Sequence, residues 1–91
     1  MKVLVTGGTG FIGRRLVAAL LAKGELPDGD GRQQEIDGVV VADVVAPAQP
    51  LPDDPRLQTV IGDFSAPGAA RQLLGSDTGA VFDLSGGRAT Y

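Results

Sequence analysis

A glycine-rich turn is the part of this 91-residue sequence with the most definite chemistry. It reads Val-Thr-Gly-Gly-Thr-Gly-Phe-Ile-Gly over residues 5–13. The glycines fit G-x-x-G-x-x-G at Gly7, Gly10 and Gly13, and counted from Gly8 they also fit G-x-G-x-x-G. Glycine at these points lets the chain turn sharply and lets phosphate oxygens reach backbone N–H groups. We therefore expect a pyrophosphate-binding turn at a helix N-terminus, against the simpler interpretation of a turn that binds nothing.

Asp43 carries the next chemical signal, because it directly follows the apolar run 39–42. A carboxylate at the end of the second strand of a dinucleotide-binding fold accepts hydrogen bonds from the adenosine ribose and repels a 2′-phosphate. The next residue, Val44, is not an arginine, so NAD is favoured over NADP. Asp43 lies 30 residues after Gly13, against a usual distance of about 20, and the polar stretch 24–38 accounts for the excess. The alternative is a solvated carboxylate at a strand end.

Two later strand ends and one basic pair supply weaker candidates. Asp63 lies in a Gly-Asp-Phe sequence and could meet the adenine amino group, although a turn aspartate is an almost equal alternative. Small residues in the Leu-Ser-Gly sequence 84–86 would let a cofactor lie close to the backbone, and an ordinary turn is the alternative there. Arg14 and Arg15 could reach an adenosine phosphate, but an exposed helix face explains them at least as well.

Apolar periodicity predicts the elements that position these residues. Apolar runs predict strands at 3–5, 39–42, 57–61 and 80–84. Apolar residues at three- and four-residue spacing predict a helix at 11–23, and capping residues predict a short helix at 66–74. Residues 24–38 read as a long surface loop, and the proline-rich crossover 44–57 reads as irregular chain. This alternation predicts an α/β fold, a Rossmann-like doubly wound parallel sheet of about four strands in the order 3-2-1-4. The length allows one such domain, residues 1–91, corresponding to the N-terminal portion of that fold.

The composition excludes several other kinds of site. The chain has no cysteine and no histidine, so disulfides, Cys/His metal sites and a Ser-His-Asp triad are ruled out, and we expect no bound metal. Eight basic and eleven acidic residues give a net charge of −3 with the basic residues scattered, so no nucleic-acid partner is expected. No segment reads as a membrane span or as a signal peptide. We therefore expect no membrane association and a cytoplasmic location.

These motifs together resemble a known family, the extended short-chain dehydrogenase/reductases, also described as the NAD-dependent epimerase/dehydratase family. The resemblance rests on the glycine turn, Asp43, Gly-Asp-Phe at 62–64 and Val-Phe-Asp-Leu-Ser-Gly at 81–86. The Val-Ala-Asp-Val-Val-Ala-Pro sequence after the long polar segment looks most like the D-erythronate dehydrogenase branch. The resemblance implies an NAD cofactor with these binding positions: Gly7, Gly10 and Gly13 at the pyrophosphate, Phe11 and Ile12 at the helix start, Asp43 at the ribose, Asp63 and Phe64 beside the adenine, and Leu84, Ser85 and Gly86 near the middle of the cofactor.

The resemblance also implies a catalytic pattern that these residues do not contain. Enzymes of this family use a tyrosine whose pKa is lowered by a lysine four residues later. The single tyrosine here is Tyr91, and the two lysines, Lys2 and Lys23, both precede it. We therefore expect no catalytic residues, and we interpret the chain as the truncated NAD-binding portion of an oxidoreductase that acts on a sugar-acid or nucleotide-sugar hydroxyl. The alternatives are a non-catalytic nucleotide-binding module, with a protein partner over its exposed sheet edge, and an inactive truncated remnant.

Overall fold

The computed structural model of the chain describes residues 1–7, 10–44, 46, 51–63, 68, 69, 71–75 and 79–84. Its elements, in chain order, are β1 (Lys2–Thr6), α1 (Phe11–Lys23), β2 (Glu25–Pro27), β3 (Gln33–Glu35), β4 (Gly38–Asp43), β5 (Leu57–Ile61), a 3₁₀ helix (Arg71–Leu74) and β6 (Ala80–Asp83). The predicted strands correspond to β1, β4, β5 and β6, and the first predicted helix corresponds to α1. Each of these predictions agrees with the structure to within one residue at either end.

The strands β1, β4, β5 and β6 form one parallel sheet in the order β5-β4-β1-β6. In terms of the four predicted strands this order is 3-2-1-4, so the predicted α/β, Rossmann-like parallel sheet is confirmed. β1 lies between β4, where Thr6 is opposite Ala42, and β6, where Thr6 is opposite Asp83. Because these strands run in the same direction, their carboxyl ends meet along one edge of the sheet.

Side chains of the central strands β1 and β4 fill a hydrophobic core on each face of the sheet. One face packs against α1 and the segment before β4, and its buried residues are Val3, Val5, Val39, Val41, Val17, Leu20, Leu21 and Ile36. The opposite face packs against the 3₁₀ helix, and its buried residues are Leu4, Val40, Ala42 and Leu74. Alternate residues of a strand point to opposite faces, so burial on both faces accounts for the continuous apolar runs in β1 and β4.

The helix α1 is bounded by two glycines. It begins after Gly10 and ends at Gly24, whose φ of 75° lies in the left-handed region that favours glycine. The Gly24 N–H donates to the Leu20 carbonyl oxygen at 2.9 Å and closes the last turn. The buried residues Gly13, Val17 and Leu20 recur at helical spacing and form the stripe that faces the sheet. With 13 residues, α1 is the longest helix in the described ranges, and none of the helices described there is long and apolar enough to cross a membrane.

The predicted surface loop at residues 24–38 is wrong, because the structure has an antiparallel hairpin of β2 and β3 there. Its turn is organised by Asp28, whose Oδ1 accepts hydrogen bonds from the N–H groups of Asp30 and Arg32 at 2.8 and 3.0 Å. The Gln34 side chain donates to Oδ2 of Asp28 at 2.8 Å. These donors, Gln34 foremost, lower the pKa of Asp28. The hairpin was missed because β3 is entirely exposed, so its polar residues show no apolar alternation.

The crossover between β4 and β5 has no helix among the residues described there, in agreement with the irregular chain predicted. It is anchored by Arg56, whose Nε and Nη2 donate to Oδ1 and Oδ2 of Asp54 at 3.0 and 2.8 Å. The same Nη2 donates to the Leu21 carbonyl oxygen at 2.9 Å. Leu21 lies in the last turn of α1, so Arg56 satisfies a carbonyl that the end of a helix leaves without an intrahelical partner. The Arg56 side chain, assisted by its backbone N–H, lowers the pKa of Asp54 to about 2.

The second predicted helix, residues 66–74, is described only in part. Its described C-terminal residues form the 3₁₀ helix, and Leu74 is buried against Leu4 on the sheet. The helix is followed by Gly75, as predicted, with a φ of 63° and its N–H bound to the Gln72 carbonyl. The predicted capping residue, Ser65, lies outside the described residues. The described part of the crossover from β5 to β6 therefore covers the sheet with a single tight turn.

Candidate functional site

The carboxyl ends of the parallel strands are held side by side by backbone hydrogen bonds that extend beyond the strands. The Gly7 N–H donates to the Ala42 carbonyl at 2.8 Å, and the Leu84 N–H donates to the Thr6 carbonyl at 2.9 Å. The loop after β5 is fixed in the same way, because the Gly62 N–H donates to the last carbonyl of β4 at 2.9 Å. Gly7, where the glycine turn begins, is thus fixed beside the end of β4, and Leu84 is fixed beside the end of β1. In open α/β sheets this edge is where ligands bind.

The two described glycines at the start of the turn have different conformations. Gly7 has a φ of 71°, in the left-handed region, so glycine is favoured there by the backbone itself. Gly10 is the N-cap of α1 and is extended, with φ −78° and ψ 179°, a conformation open to any residue. Among the described residues, a Cβ on Gly10 would approach only the Gly7 carbonyl oxygen, at 4.0 Å. Neither backbone strain nor internal packing in the described part of the chain therefore calls for glycine at position 10.

The start of α1 adds backbone donors to this edge. The first N–H groups of an α-helix have no intrahelical partner and lie at its positive end. The sequence of the first turn, Phe-Ile-Gly-Arg, carries no acidic residue that would oppose a bound anion. Phe11 and Ile12 are 72% and 68% exposed, and the Arg15 guanidinium carbon lies 5.7 Å from the centre of the Phe11 ring. Gly13 is buried on the side of α1 that faces the sheet. The helix start can therefore receive an anion while its glycine keeps α1 close to the strands.

Asp43 ends β4 directly beside the glycine turn, because its neighbour Ala42 is the residue that accepts the Gly7 N–H. The Asp43 side chain is half-buried, and its Oδ1 accepts a hydrogen bond from the Val44 N–H at 2.7 Å. The side of the turn that faces β4 therefore carries a carboxylate with one oxygen bound to the backbone. The Val44 amide was missed by the sequence reasoning, although short polar side chains at the ends of elements often bond to nearby backbone N–H groups.

The remaining predicted positions lie on either side of this centre or outside the described residues. Asp63 is exposed just beyond β5, and Leu84 is half-buried beyond β6, packed against the core shared with α1. From the strand order, these two positions flank the glycine turn and Asp43 along the edge. The predicted positions Phe64, Ser85 and Gly86 lie outside the described residues.

An exposed apolar residue beside Asp43 was also not predicted. Ile61, the last residue of β5, is opposite Asp43 in the sheet and is 46% exposed. Val44, which follows Asp43 in the chain, is 67% exposed. Such residues give this end of the sheet an apolar surface beside a carboxylate. The sequence placed both residues at strand ends, but a predicted strand gives no information on which of its side chains remain uncovered.

The chemistry available at this edge is binding chemistry. It combines backbone N–H groups suited to an anion with a carboxylate suited to hydroxyl donors. Among the residues that the structure describes, no group of three or more His, Cys, Asp and Glu side chains is arranged to hold a metal ion. The arrangement fits a ligand that carries both phosphates and a sugar diol.

A parallel α/β sheet with a glycine turn between its first strand and first helix defines a nucleotide-binding class of protein. Residues 3–91 match the family described as NAD dependent epimerase/dehydratase family, and the chain belongs to that family. The family implies a nicotinamide dinucleotide cofactor. The predicted resemblance is thereby confirmed.

Curated relatives give the same assignment. The chain is 48% identical over 85 residues to a D-erythronate dehydrogenase of Cupriavidus necator, covering 93% of this chain and 25% of that protein. It is 35% identical over 85 residues to a D-erythronate dehydrogenase of Haemophilus influenzae, covering 93% and 24%. It is 37% identical over 91 residues to a 3-beta-hydroxysteroid dehydrogenase of Mycolicibacterium neoaurum, covering 94% and 21%. The chain thus spans a quarter or less of the length of these relatives.

Proposed function

We propose that these residues are the NAD-binding portion of an oxidoreductase that acts on a sugar-acid hydroxyl. The observation that carries the proposal is the meeting of Gly7, Gly10 and Asp43 at one edge of the sheet, held by the hydrogen bond between Gly7 and the residue before Asp43. The sugar-acid substrate is suggested by the two relatives named D-erythronate dehydrogenase. The alternative is a nucleotide-sugar substrate, as the resemblance to epimerases and dehydratases implies.

The glycine turn fits the pyrophosphate of the cofactor. Gly10 leaves open space at the helix start among the described residues, and this is the space that a side chain would take from a phosphate. In the proposed complex Gly7, Gly10 and Gly13 surround the pyrophosphate, and Phe11 and Ile12 lie beside it at the start of α1. When bound, the nicotinamide cofactor supplies the hydride donor or acceptor of the reaction.

Asp43 is proposed to bind the adenosine ribose and to favour NAD over NADP. A carboxylate accepts hydrogen bonds from both ribose hydroxyls and repels the additional phosphate of NADP. Support comes from its position beside the glycine turn at the end of β4. Further along the edge, we propose Asp63 and Phe64 beside the adenine, and Leu84, Ser85 and Gly86 near the middle of the cofactor.

These 91 residues are proposed to bind the cofactor without supplying the proton-transfer groups. The family pattern requires a lysine four residues after a tyrosine, and Lys2 and Lys23 both precede Tyr91 in this sequence. We therefore expect cofactor binding and no turnover from the chain by itself. A cytoplasmic location remains a prediction, which fractionation of cells carrying a tagged chain would check.

Titration calorimetry of the 91-residue chain with NAD, NADP and ADP-ribose tests the proposal. We expect NAD and ADP-ribose to bind and NADP to bind more weakly. Asp43→Asn should reduce the preference for NAD by about tenfold, since it removes a charge-assisted bond to the ribose and the repulsion of a 2′-phosphate. The matched control is Asp37→Asn, which removes a carboxylate at the opposite end of β4 and should leave the preference unchanged. Absence of binding at millimolar NAD and ADP-ribose would refute the proposed function.

A second candidate is a nucleotide-binding module that assembles with another protein. It is favoured by β5, which lies at the outside of the described sheet with Gln58 and Thr59 exposed. An outer strand presents backbone groups that can pair with a further strand. Light scattering of the purified chain with and without NAD would test it, and a strictly monomeric chain that binds no added protein would argue against it.

A further inference from the structure

The Val44 amide is a donor at the candidate site that cofactor binding by Asp43 does not by itself require. Its nitrogen lies 2.7 Å from Oδ1 of Asp43, at the short end of the range for N–H···O bonds. Val44 directly follows β4, and its side chain is 67% exposed. The amide is therefore at the surface of the carboxyl edge, where the ribose is proposed to bind.

A backbone N–H at this place is also a group that a phosphate on the ribose would use, because phosphate oxygens are commonly bound by main-chain amides. We infer that the Val44 amide takes part in cofactor selection. The Val44 amide orients the Asp43 carboxylate for the ribose diol. While it donates to Oδ1, the same amide is not available to a 2′-phosphate. This inference rests on the proposed NAD-binding function.

Two separate effects then act against NADP. The carboxylate repels the 2′-phosphate through space. It also occupies the Val44 N–H, from which the phosphate would otherwise accept a hydrogen bond. Replacing Asp43 by serine removes the repulsion and releases the Val44 N–H together. Replacing Val44 by proline removes only the N–H, because proline has no backbone donor.

The first experiment measures NADP affinity in three variants of the full chain. Asp43→Ser should bind NADP about tenfold more tightly than the unmodified chain. Roughly half of this gain in binding free energy comes from one new hydrogen bond. The double variant with Val44→Pro should therefore bind NADP about threefold more weakly than Asp43→Ser alone. Adding Val44→Ala, which keeps the N–H, should retain the whole gain. Equal NADP affinity with proline and with alanine at position 44 would overturn the inference.

The second experiment does not depend on the folding of the proline variant. In the Asp43→Ser chain labelled with ¹⁵N-valine, saturating NADP should shift the Val44 amide resonance and slow its hydrogen exchange, as expected when it donates to a phosphate. In the unmodified chain saturated with NAD, the same amide should stay protected, because Oδ1 of Asp43 holds it. An amide that is unaffected by NADP in Asp43→Ser would overturn the inference.

The outcomes separate this inference from the proposed function. If the unmodified chain binds NAD but the Val44 tests fail, NAD binding stands and the role of the Val44 amide is rejected. If the unmodified chain binds neither NAD nor ADP-ribose, the proposed function is refuted and the selectivity inference with it. Calorimetry of the unmodified chain is therefore the measurement to make first.

Discussion

The two ends of the parallel sheet differ in what surrounds their glycines and charged groups. At the amino end, a Cβ on Gly79 would overlap the carbonyl group of Lys2, and Arg56 is bound to Asp54 and to the end of α1. At the carboxyl end, a Cβ on Gly10 would meet only one described atom within 4 Å. One end is closed by the protein's own atoms, and the other end is open in the described residues.

This difference separates two reasons for glycine. Gly79 is constrained by the backbone of β1, so its requirement comes from inside the fold. Gly10 has an unstrained extended conformation and open space beside it, so a requirement for glycine there would come from a ligand. Stability measurements and affinity measurements on the two positions should therefore give opposite results.

The largest effect is expected for Gly79→Ala. The added Cβ meets main-chain atoms of Lys2, which can move only if the start of β1 or the chain before β6 shifts. We expect a loss of about 3 kcal/mol or more in the free energy of unfolding, measured by urea denaturation. The control is Gly29→Ala in the hairpin turn, where a Cβ would have no neighbour within 4 Å among the described residues. A Gly79→Ala chain as stable as this control would show that the amino end is not closed as described.

An intermediate effect, on binding rather than stability, is expected for Gly10→Ala. The conformation of Gly10 suits alanine, so the free energy of unfolding should change by less than about 1 kcal/mol. The new methyl group would hold a phosphate away from the helix N–H groups, and NAD affinity should fall at least about tenfold. Calorimetry and urea denaturation of the same sample measure both quantities. Unchanged NAD affinity would contradict the assignment of the open end as the pyrophosphate site.

The smallest effect is expected for the ion pair at the closed end. Because the pKa of Asp54 is lowered to about 2, chiefly by the Arg56 side chain, the folded chain is stabilised by the charged carboxylate. This contribution is complete above the ordinary aspartate pKa of about 4 and is lost as the pH falls through about 2. Asp54→Asn should lower the melting temperature slightly at neutral pH, and the difference from the unmodified chain should vanish near pH 2.

Asp53→Asn is the matched control for this pair, since Asp53 is the adjacent exposed carboxylate. Its melting temperature should follow that of the unmodified chain. The difference caused by Asp54→Asn should also shrink in high salt, because both partners are partly exposed and their attraction is screened. A difference between Asp54→Asn and the unmodified chain that persists well below pH 2 would contradict the role of the ionised carboxylate.

Much of the fold was predictable because the relevant signals are local. The apolar run before Asp43 predicted β4, and Gly24 correctly predicted the end of α1. The hairpin at β2 and β3 was not predictable in the same way, because β3 consists of exposed polar residues that pair with β2 around the Asp28 turn. Hydrophobic periodicity reports burial, and a surface hairpin held by hydrogen bonds buries little.

The candidate site was predictable as a set of positions and not as a set of contacts. The spacing of Gly7, Gly10 and Gly13 and the strand end at Asp43 predicted positions that the structure brings to the carboxyl edge of the sheet. The bond between the Val44 N–H and Asp43 could not be inferred, because it depends on a side-chain rotamer at the end of β4. The contact of Arg56 with Leu21 was equally inaccessible, since 35 residues separate the two partners.

The sequence by itself determined where the four parallel strands, α1 and the glycine turn occur, because backbone conformation and burial periodicity follow from residues close together in the chain. The tertiary structure alone decided which atoms of these elements come into contact. Parallel pairing brought the turn after β1 beside the end of β4, and it left one end of the sheet open while Arg56 and Gly79 closed the other. The physical reason is that hydrogen bonds and close packing between distant segments depend on three-dimensional register, which no local pattern encodes.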